Sequence, residues 1–175
     1  DLVYNLLIGG SIQSAITPAL SSYISKGEEK RGIKAVSIFI SVFVSILIVV
    51  CIIGVVFSEL IYQLYNSGDA NPEKIRLAAM ASKWLFPQIV FMTFAALCIG
   101  VLNAYKRFSS TAFGPTIYNV CVLLAIAIFA GSTEKQLTLT TCGVMGAALI
   151  YFLFQFIIGF DKLSKFRFDL NIKNS

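Results

Sequence analysis

The sequence predicts an all-α fold, a polytopic transmembrane helical bundle. Of its 175 residues, 57% are apolar and only 13% are charged, whereas a soluble domain carries roughly a quarter charged residues. The mean hydropathy of +0.81 indicates an integral membrane protein and argues against a soluble or disordered chain. The apolar runs lack the period-2 alternation of barrel strands, and a helix satisfies its own backbone hydrogen bonds in lipid.

Five apolar runs are each long enough to cross a bilayer, and short polar connectors separate them. They cover residues 2–24, 36–57, 78–105, 112–130 and 137–160. At about 1.5 Å per residue the second run reaches roughly 33 Å, enough for a hydrocarbon core of about 30 Å. Pro18, Pro87 and Pro115 fall in three of the runs, where each removes a backbone donor and predicts a kink.

Basic residues in the connectors predict the orientation, because lysine and arginine are retained on the cytoplasmic side. Ten of the 14 follow the first, third and fifth runs: Lys26, Lys30, Arg31, Lys34, Lys106, Arg107, Lys162, Lys165, Arg167 and Lys173. The opposite connectors hold Lys74, Arg76 and Lys135. We therefore expect Asp1 outside, Ser175 in the cytoplasm and a further helix upstream. The net charge of +5 then reflects membrane topology rather than binding to nucleic acid.

The residue inventory argues against a catalytic centre. Histidine is absent, which removes histidine triads and the usual histidine-containing zinc sites. The cysteines lie in apolar runs without a C-x-x-C pair and are interpreted as small hydrophobic residues: Cys51, Cys98, Cys121 and Cys142. The sequence also lacks a Walker-type glycine-rich loop and paired carboxylates within a run. We expect no enzyme activity, metal site or cofactor in this chain.

Two ionisable residues lie near the apolar runs, where charge is costly and so often functional. Glu59 follows the second run, and we interpret it as an interfacial carboxylate that reaches headgroups and water. Lys83 lies near the outer end of the third run. Its ammonium group can extend to the interface along its own stem, or it can face an internal cavity and meet an anionic ligand.

Uncharged polar residues in the first run give the other candidates for a substrate path. Asn5, Gln13 and Thr17 are spaced eight and four residues apart, which places them near one face of a helix. Such a face suits a water-filled cavity, and helix packing explains it almost as well. Together with Lys83, these residues are the predicted substrate-path positions of a transporter-like membrane segment.

A resemblance to a known family begins in the third run. The matching residues are Phe86-Pro87-Gln88-Ile89, Gly100-Val101-Leu102-Asn103, Lys106-Arg107-Phe108, Ala112, Pro115 and Asn119. This pattern resembles the signature of the MurJ (MviN-type) flippase family. Residues 1–7, followed by Gly9-Gly10-Ser11 and Thr17-Pro18, are similar to the family's second transmembrane helix. The resemblance covers the whole chain, as about helices two to six of the family.

The resemblance implies both a fold and a function. Members of this family move lipid II, the undecaprenyl-linked peptidoglycan precursor, across the bacterial inner membrane. The implied fold has two helical lobes around a cavity that alternates its opening, and this chain would be part of the first lobe. The first helix and the second lobe of the polypeptide would lie outside this sequence. The implied partners are the bilayer and a lipid-linked pyrophosphoryl glycan.

The sequence departs from the family on the second helix. Many members carry an arginine pair and then a glutamate there, whereas the matching positions here are Tyr4, Asn5 and Gly9. This departure weakens any assignment of pyrophosphate binding to this helix. Other readings stay open: a flippase for O-antigen or teichoic-acid lipids, a cation-coupled multidrug exporter of the same superfold, or a structural membrane subunit. Such exporters commonly use an acidic residue inside the first lobe, and none lies deep in these runs.

Overall fold

Helices form all the regular structure within the part of the chain that the computed structural model describes, residues 10–65 and 71–169. Their order is α1 Gly10–Ser25, α2 Glu29–Val56, α3 Ser58–Tyr65, α4 Pro72–Ala104, α5 Phe108–Phe129, α6 Glu134–Ile158 and α7 Phe160–Leu163. Four of them, α2, α4, α5 and α6, are long and apolar enough to span a membrane. This architecture confirms the predicted all-α polytopic bundle.

The first predicted run, residues 2–24, falls partly outside the described residues. Its described part, α1, has 16 residues. Pro18 lies inside α1, Pro87 inside α4 and Pro115 inside α5, so all three prolines are accommodated within helices.

All four long helices begin before their apolar runs, and capping residues stand at the start of two of them, α4 and α6. At α4, the Asn71 side chain accepts a hydrogen bond of 3.0 Å from the backbone N–H of Glu73, and Pro72 occupies the first turn, where no backbone donor is needed. At α6, Thr133 and Gln136 form a reciprocal capping box. A prediction based on apolar runs finds only the apolar part of such a helix and omits its polar first turn.

The helix α4 is the centre of the bundle and contacts each of the other six helices. In its most apolar 18-residue stretch 61% of the residues are buried, compared with 17–28% in the other three long helices. One apolar cluster joins α4 to α1, α2 and α7 through residues such as Ile16, Val44 and Val101. A second joins α4 to α5 and α6 through Ile99, Tyr118 and Ala148.

A buried polar contact joins α5 to α6 beside the proline of α5. Pro115 has no backbone N–H, so it leaves the carbonyl of Thr111, four residues earlier, without its helical partner. The Gln155 side chain of α6 is fully buried, and its Nε2 lies 3.5 Å from that carbonyl oxygen. Gly114 makes room for this contact, because a Cβ there would overlap Gln155 Nε2 and the Tyr151 ring. The Oε1 atom of Gln155 has no hydrogen-bond partner among the described residues.

We predict that Gly114→Ala destabilises the bundle, because the added methyl group would force the Gln155 amide away from α5. The expected loss in the free energy of unfolding is about 1–3 kcal/mol, measured by denaturant titration of the detergent-solubilised protein. Gly146→Ala on α6 is the matched control, since a Cβ there meets nothing within 4 Å. Equal stability of the two variants would contradict this role of Gly114.

Candidate functional site

The exposed side of α1 is lined by small and polar residues. Its exposed residues recur at helical spacing, so they share one face: Ser11, Ser14, Ala15, Pro18, Ala19, Ser22 and Ser25. We call the four exposed serines of this set the serine face of α1. The opposite side is apolar and buried, with Ile12, Ile16 and Leu20 at 4%, 2% and 0% exposure.

The predicted substrate-path residues of α1 lie on a flank of the helix rather than on the serine face. Thr17 Oγ1 donates a hydrogen bond of 3.0 Å to the carbonyl oxygen of Gly100 on α4. One turn later, Ser21 Oγ donates to the carbonyl oxygen of Ala104, at 3.3 Å. Gln13 is half-buried on the same flank. Thr17 therefore serves helix packing in this conformation, while Asn5 lies outside the described residues.

Two of the helices that are long and apolar enough to span a membrane, α2 and α5, expose a different kind of surface from α1. In the C-terminal half of α5 the exposed residues are mainly large and apolar: Val120, Leu123, Leu124, Ile126 and Ile128. Its N-terminal half exposes Phe113 together with Ser109, Thr116 and Asn119. The C-terminal half of α2 is similar to that of α5, with Ile46, Val49, Ile52 and Ile53 exposed. Hydrocarbon tails suit these two surfaces, whereas hydroxyl groups favour a polar or wet neighbour. The serine face of α1 therefore differs in chemistry from the exposed faces of the C-terminal halves of α2 and α5.

The two ionisable candidates are both exposed. Lys83 lies on the surface of α4, about 17 Å along the helix from Pro72. Its neighbour Ser82 is buried instead, and the hydroxyl of Ser82 donates 3.1 Å to the hydroxyl of Tyr62 on α3. Glu59 is exposed on α3, directly after α2. The structure thus brings neither Lys83 nor Glu59 into a cluster with the α1 residues through any hydrogen bond or ion pair among the described residues.

Several residues of the family pattern have clear packing roles. Gly100 lets α1 approach α4 closely, since a Cβ there would lie 3.3 Å from Ile16 Cβ. Asn103 Oδ1 accepts a hydrogen bond of 3.0 Å from Thr111 Oγ1, which joins the end of α4 to the start of α5. Pro115 creates the polar contact with Gln155 described above. Others lie on the surface or partly so: Pro18, Phe108 and Asn119 are exposed, and Pro87 is half-buried.

Arg107 joins two connectors at one end of the bundle. Its guanidinium group forms a bidentate ion pair with the carboxylate of Asp161 on α7, with both N···O distances at 2.7 Å. The two planar groups match in geometry, which makes such a pair stronger than a single contact. The pair fixes the α4–α5 connector against the chain that follows α6.

A second polar cluster at the same end is centred on Glu29. Its carboxylate accepts hydrogen bonds from the Tyr105 hydroxyl, at 2.7 Å, and from Lys165 Nζ, at 3.1 Å. Burial, together with the hydrogen bond to Glu29, raises the pKa of Tyr105, so its hydroxyl stays a donor at neutral pH. Lys162 Nζ lies 4.8 Å from the centre of the Tyr105 ring, within cation–π range.

These contacts bring the three basic connectors together at one end of the bundle, which we call the basic end. It comprises the α1–α2 connector, the α4–α5 connector and residues 159–169. At the other end, Arg76 of α4 pairs with Glu134 of α6. Sequence reasoning counted the basic residues and missed their acidic partners, Glu29 and Asp161. The sequence did contain a signal for these ion pairs, because the two carboxylates lie in the connectors that are richest in lysine and arginine.

No group of three or more histidine, cysteine, aspartate or glutamate residues within the described ranges could hold a metal ion. All four cysteines are free thiols, and Cys98 is buried. The molecule is thus a bundle with four helices fit to cross a membrane, one helix with a polar exposed face, and charged clusters at its two ends. These features define a multi-pass membrane protein.

The chain belongs to the MurJ family: the family model described as "Lipid II flippase MurJ" matches residues 1–174. A probable lipid II flippase MurJ of Buchnera aphidicola subsp. Acyrthosiphon pisum is 26% identical over 89% of this chain and 30% of the relative. One of Vibrio cholerae is 27% identical over 89% of this chain and 31% of the relative. A lipid II flippase MurJ of Burkholderia cenocepacia is 33% identical over 58% of this chain and 18% of the relative.

The chain spans about 30% of the length of the first two of these curated relatives. No solved structure matches it. The family match agrees with the resemblance carried by residues 86–119 and with the all-helical membrane architecture.

We predict that the Arg107–Asp161 pair stabilises the basic end measurably. A double-mutant cycle with Arg107→Ala and Asp161→Ala should give a coupling of about 0.5–1 kcal/mol, because both side chains remain partly exposed. The coupling should fall as salt is added. The control is the i,i+3 pair Arg31–Glu28, whose side chains are 75% and 43% exposed. Equal coupling energies in the two pairs would show that the bidentate geometry adds no stability.

Proposed function

We propose that this chain forms part of the first lobe of a lipid II flippase of the bacterial inner membrane. Its role is to help move the undecaprenyl-linked peptidoglycan precursor across the bilayer by alternating access. The match to the MurJ family over residues 1–174 supports this function most directly, together with the names of the relatives that cover most of the chain. The chain acts as a carrier segment and performs no chemical catalysis.

The physical problem of flipping explains why a polar helix face matters. A glycan pyrophosphate loses its hydration when it enters hydrocarbon, at a cost that no lipid tail offsets. A flippase therefore has to offer the headgroup a polar route while the prenyl tail remains in lipid. Among the described helices, α1 has an exposed face with serines at four positions. We infer that this serine face lines the headgroup route.

The remaining candidates take different places in this proposal. Asn5, Gln13, Thr17 and Lys83 stay candidates for the substrate path. Thr17 and Gln13, on the flank against α4, would set the angle of α1 and border the route. Lys83, exposed on α4, would supply a cation for the pyrophosphate if the second lobe encloses it. The departure from the family at Tyr4, Asn5 and Gly9 means that headgroup contacts on α1 would be made by neutral hydroxyls and amides.

The orientation follows from charge. We propose that the basic end faces the cytoplasm, because lysine and arginine are retained there. The Arg76–Glu134 end then faces outward. In this orientation α1 runs from the outside to the cytoplasm. The polypeptide would continue with a second lobe, which is consistent with relatives about three times as long as this chain.

We predict that Ser14→Leu combined with Ser22→Leu lowers lipid II translocation about tenfold, a change of roughly 1.4 kcal/mol in the barrier. The two leucines replace hydroxyls that would solvate the headgroup. Translocation of fluorescent lipid II is measured with the full-length protein in vesicles of phosphatidylethanolamine and phosphatidylglycerol. Thr116→Leu, which removes an exposed hydroxyl from α5 instead of α1, is the matched control and should leave the rate unchanged.

Two outcomes of this assay would contradict the proposal at different levels. Wild-type turnover in the double-serine variant would exclude the serine face from the headgroup route. A wild-type protein that leaves lipid II in its original leaflet but exports a cationic drug would instead favour a multidrug exporter of the same superfold.

A further inference from the structure

The segment that follows α7 lies along α2 and is held by its backbone. Residues 165–169 form no helix. The backbone N–H of Arg167 donates to Ser37 Oγ at 3.4 Å, and that of Asp169 donates to Ser41 Oγ at 2.9 Å. Lys165 Nζ pairs with Glu29 Oε1, at 3.1 Å, at the start of the same helix. The segment therefore runs in the same direction as α2, from its basic end toward its middle.

The two hydrogen bonds match in spacing. Alternate residues of an extended chain are about 6.6 Å apart, and residues four apart in a helix are separated by about 6.0 Å along its axis. Alternate N–H groups of the segment can therefore meet serines four residues apart on α2. Ser37 and Ser41 thus act as the acceptors that a neighbouring strand would otherwise supply.

Both serines are buried, Ser37 at 5% and Ser41 at 1% exposure. Ser41 Oγ also donates 2.7 Å to the carbonyl oxygen of Ser37, so its hydroxyl both donates and accepts. Ser45, one turn further, donates 2.8 Å to the carbonyl oxygen of Ser41. The three serines form a ladder on α2, and the segment uses two of its members.

An aromatic side chain seats the segment between helices. Phe166 lines an apolar groove of about 220 Å³ together with Ile40 of α2, Phe94 of α4 and Phe152 of α6. The helix α2 packs mainly on α1 and α4, whereas α6 packs mainly on α4 and α5. Phe166 therefore bridges α2 and α6 at a place where these two helices are separated.

We propose that residues 165–169 form a strap that couples α2 to the polypeptide that follows this lobe. The ion pair at Glu29, the Phe166 side chain and the two serine acceptors hold the strap on α2. When the polypeptide that follows the strap is displaced, these contacts transmit the displacement to α2. The helix α2 lines the apolar groove through Ile40. This coupling rests on the proposed function in one respect, namely that the chain is the first part of a longer two-lobe flippase.

The test is hydrogen exchange at residue resolution on the full-length protein in nanodiscs. In Ser37→Ala/Ser41→Ala, exchange at the amides of Arg167 and Asp169 should accelerate about fivefold or more, as expected when a hydrogen bond worth about 1 kcal/mol is lost. Ser41→Ala alone should expose the amide of Asp169 and leave that of Arg167 protected. Ser45→Ala is the matched control, since its hydroxyl bonds within α2, and both amides should keep wild-type rates.

The second readout is translocation of fluorescent lipid II by the same variants. We expect Ser37→Ala/Ser41→Ala to slow translocation and Ser45→Ala to leave it unchanged. Wild-type exchange in the double variant would overturn the docking of the strap. Faster exchange with wild-type translocation would overturn the coupling role. If the unmodified protein moves no lipid II, the proposed function fails, while the exchange data still decide whether the strap is docked.

Discussion

A polar group inside an apolar bundle must find its partner on a neighbouring helix, because no water is at hand to satisfy it. Much of the packing of the described helices follows from that constraint. Thr17 bonds to the carbonyl oxygen of Gly100, which holds α1 on α4. Gln88 Nε2 donates 2.7 Å to the hydroxyl of Tyr118, which joins α4 to α5. Gln155 approaches the carbonyl that Pro115 leaves free, which joins α5 to α6. These hydrogen bonds define the relative orientation of the helices more specifically than apolar contacts alone would.

The ion pairs that join different helices lie near the ends of the bundle, and they act differently on the helices. Arg76–Glu134 links α4 to α6 at one end, and Arg107–Asp161 links the α4–α5 connector to α7 at the other. The helices α4 and α6 are thereby tied near both termini. The helix α2 is held at the basic end through Glu29, and further along through the two buried serines, Ser37 and Ser41. We therefore expect α4, α5 and α6 to form one rigid unit, with α1 and α2 packed against it.

The chemistry of the surface agrees with a carrier for an amphiphile. Large apolar side chains cover the exposed sides of α2 and α5, as expected for surfaces in contact with lipid. The exposed side of α1 has serines instead, and it is bounded by Thr17 and Ser21 on the flank against α4. A bundle with both kinds of surface can pack in the bilayer and still present a polar face, which is what the proposed headgroup route requires.

The sequence alone determined the fold class, because long uncharged runs in a chain of this hydropathy leave the helix as the structure that satisfies its own backbone. It also identified the family, from a pattern of residues that includes Asn103 and Pro115. It could not show that Thr17 faces α4 while Ser14 faces outward, because periodicity defines a helix face without saying which neighbour covers it. Nor could it pair Glu29 with Tyr105 and Lys165, or Asp169 with Ser41. These contacts join residues 76 to 136 positions apart, and only the packing of the helices brings such distant groups within hydrogen-bond distance.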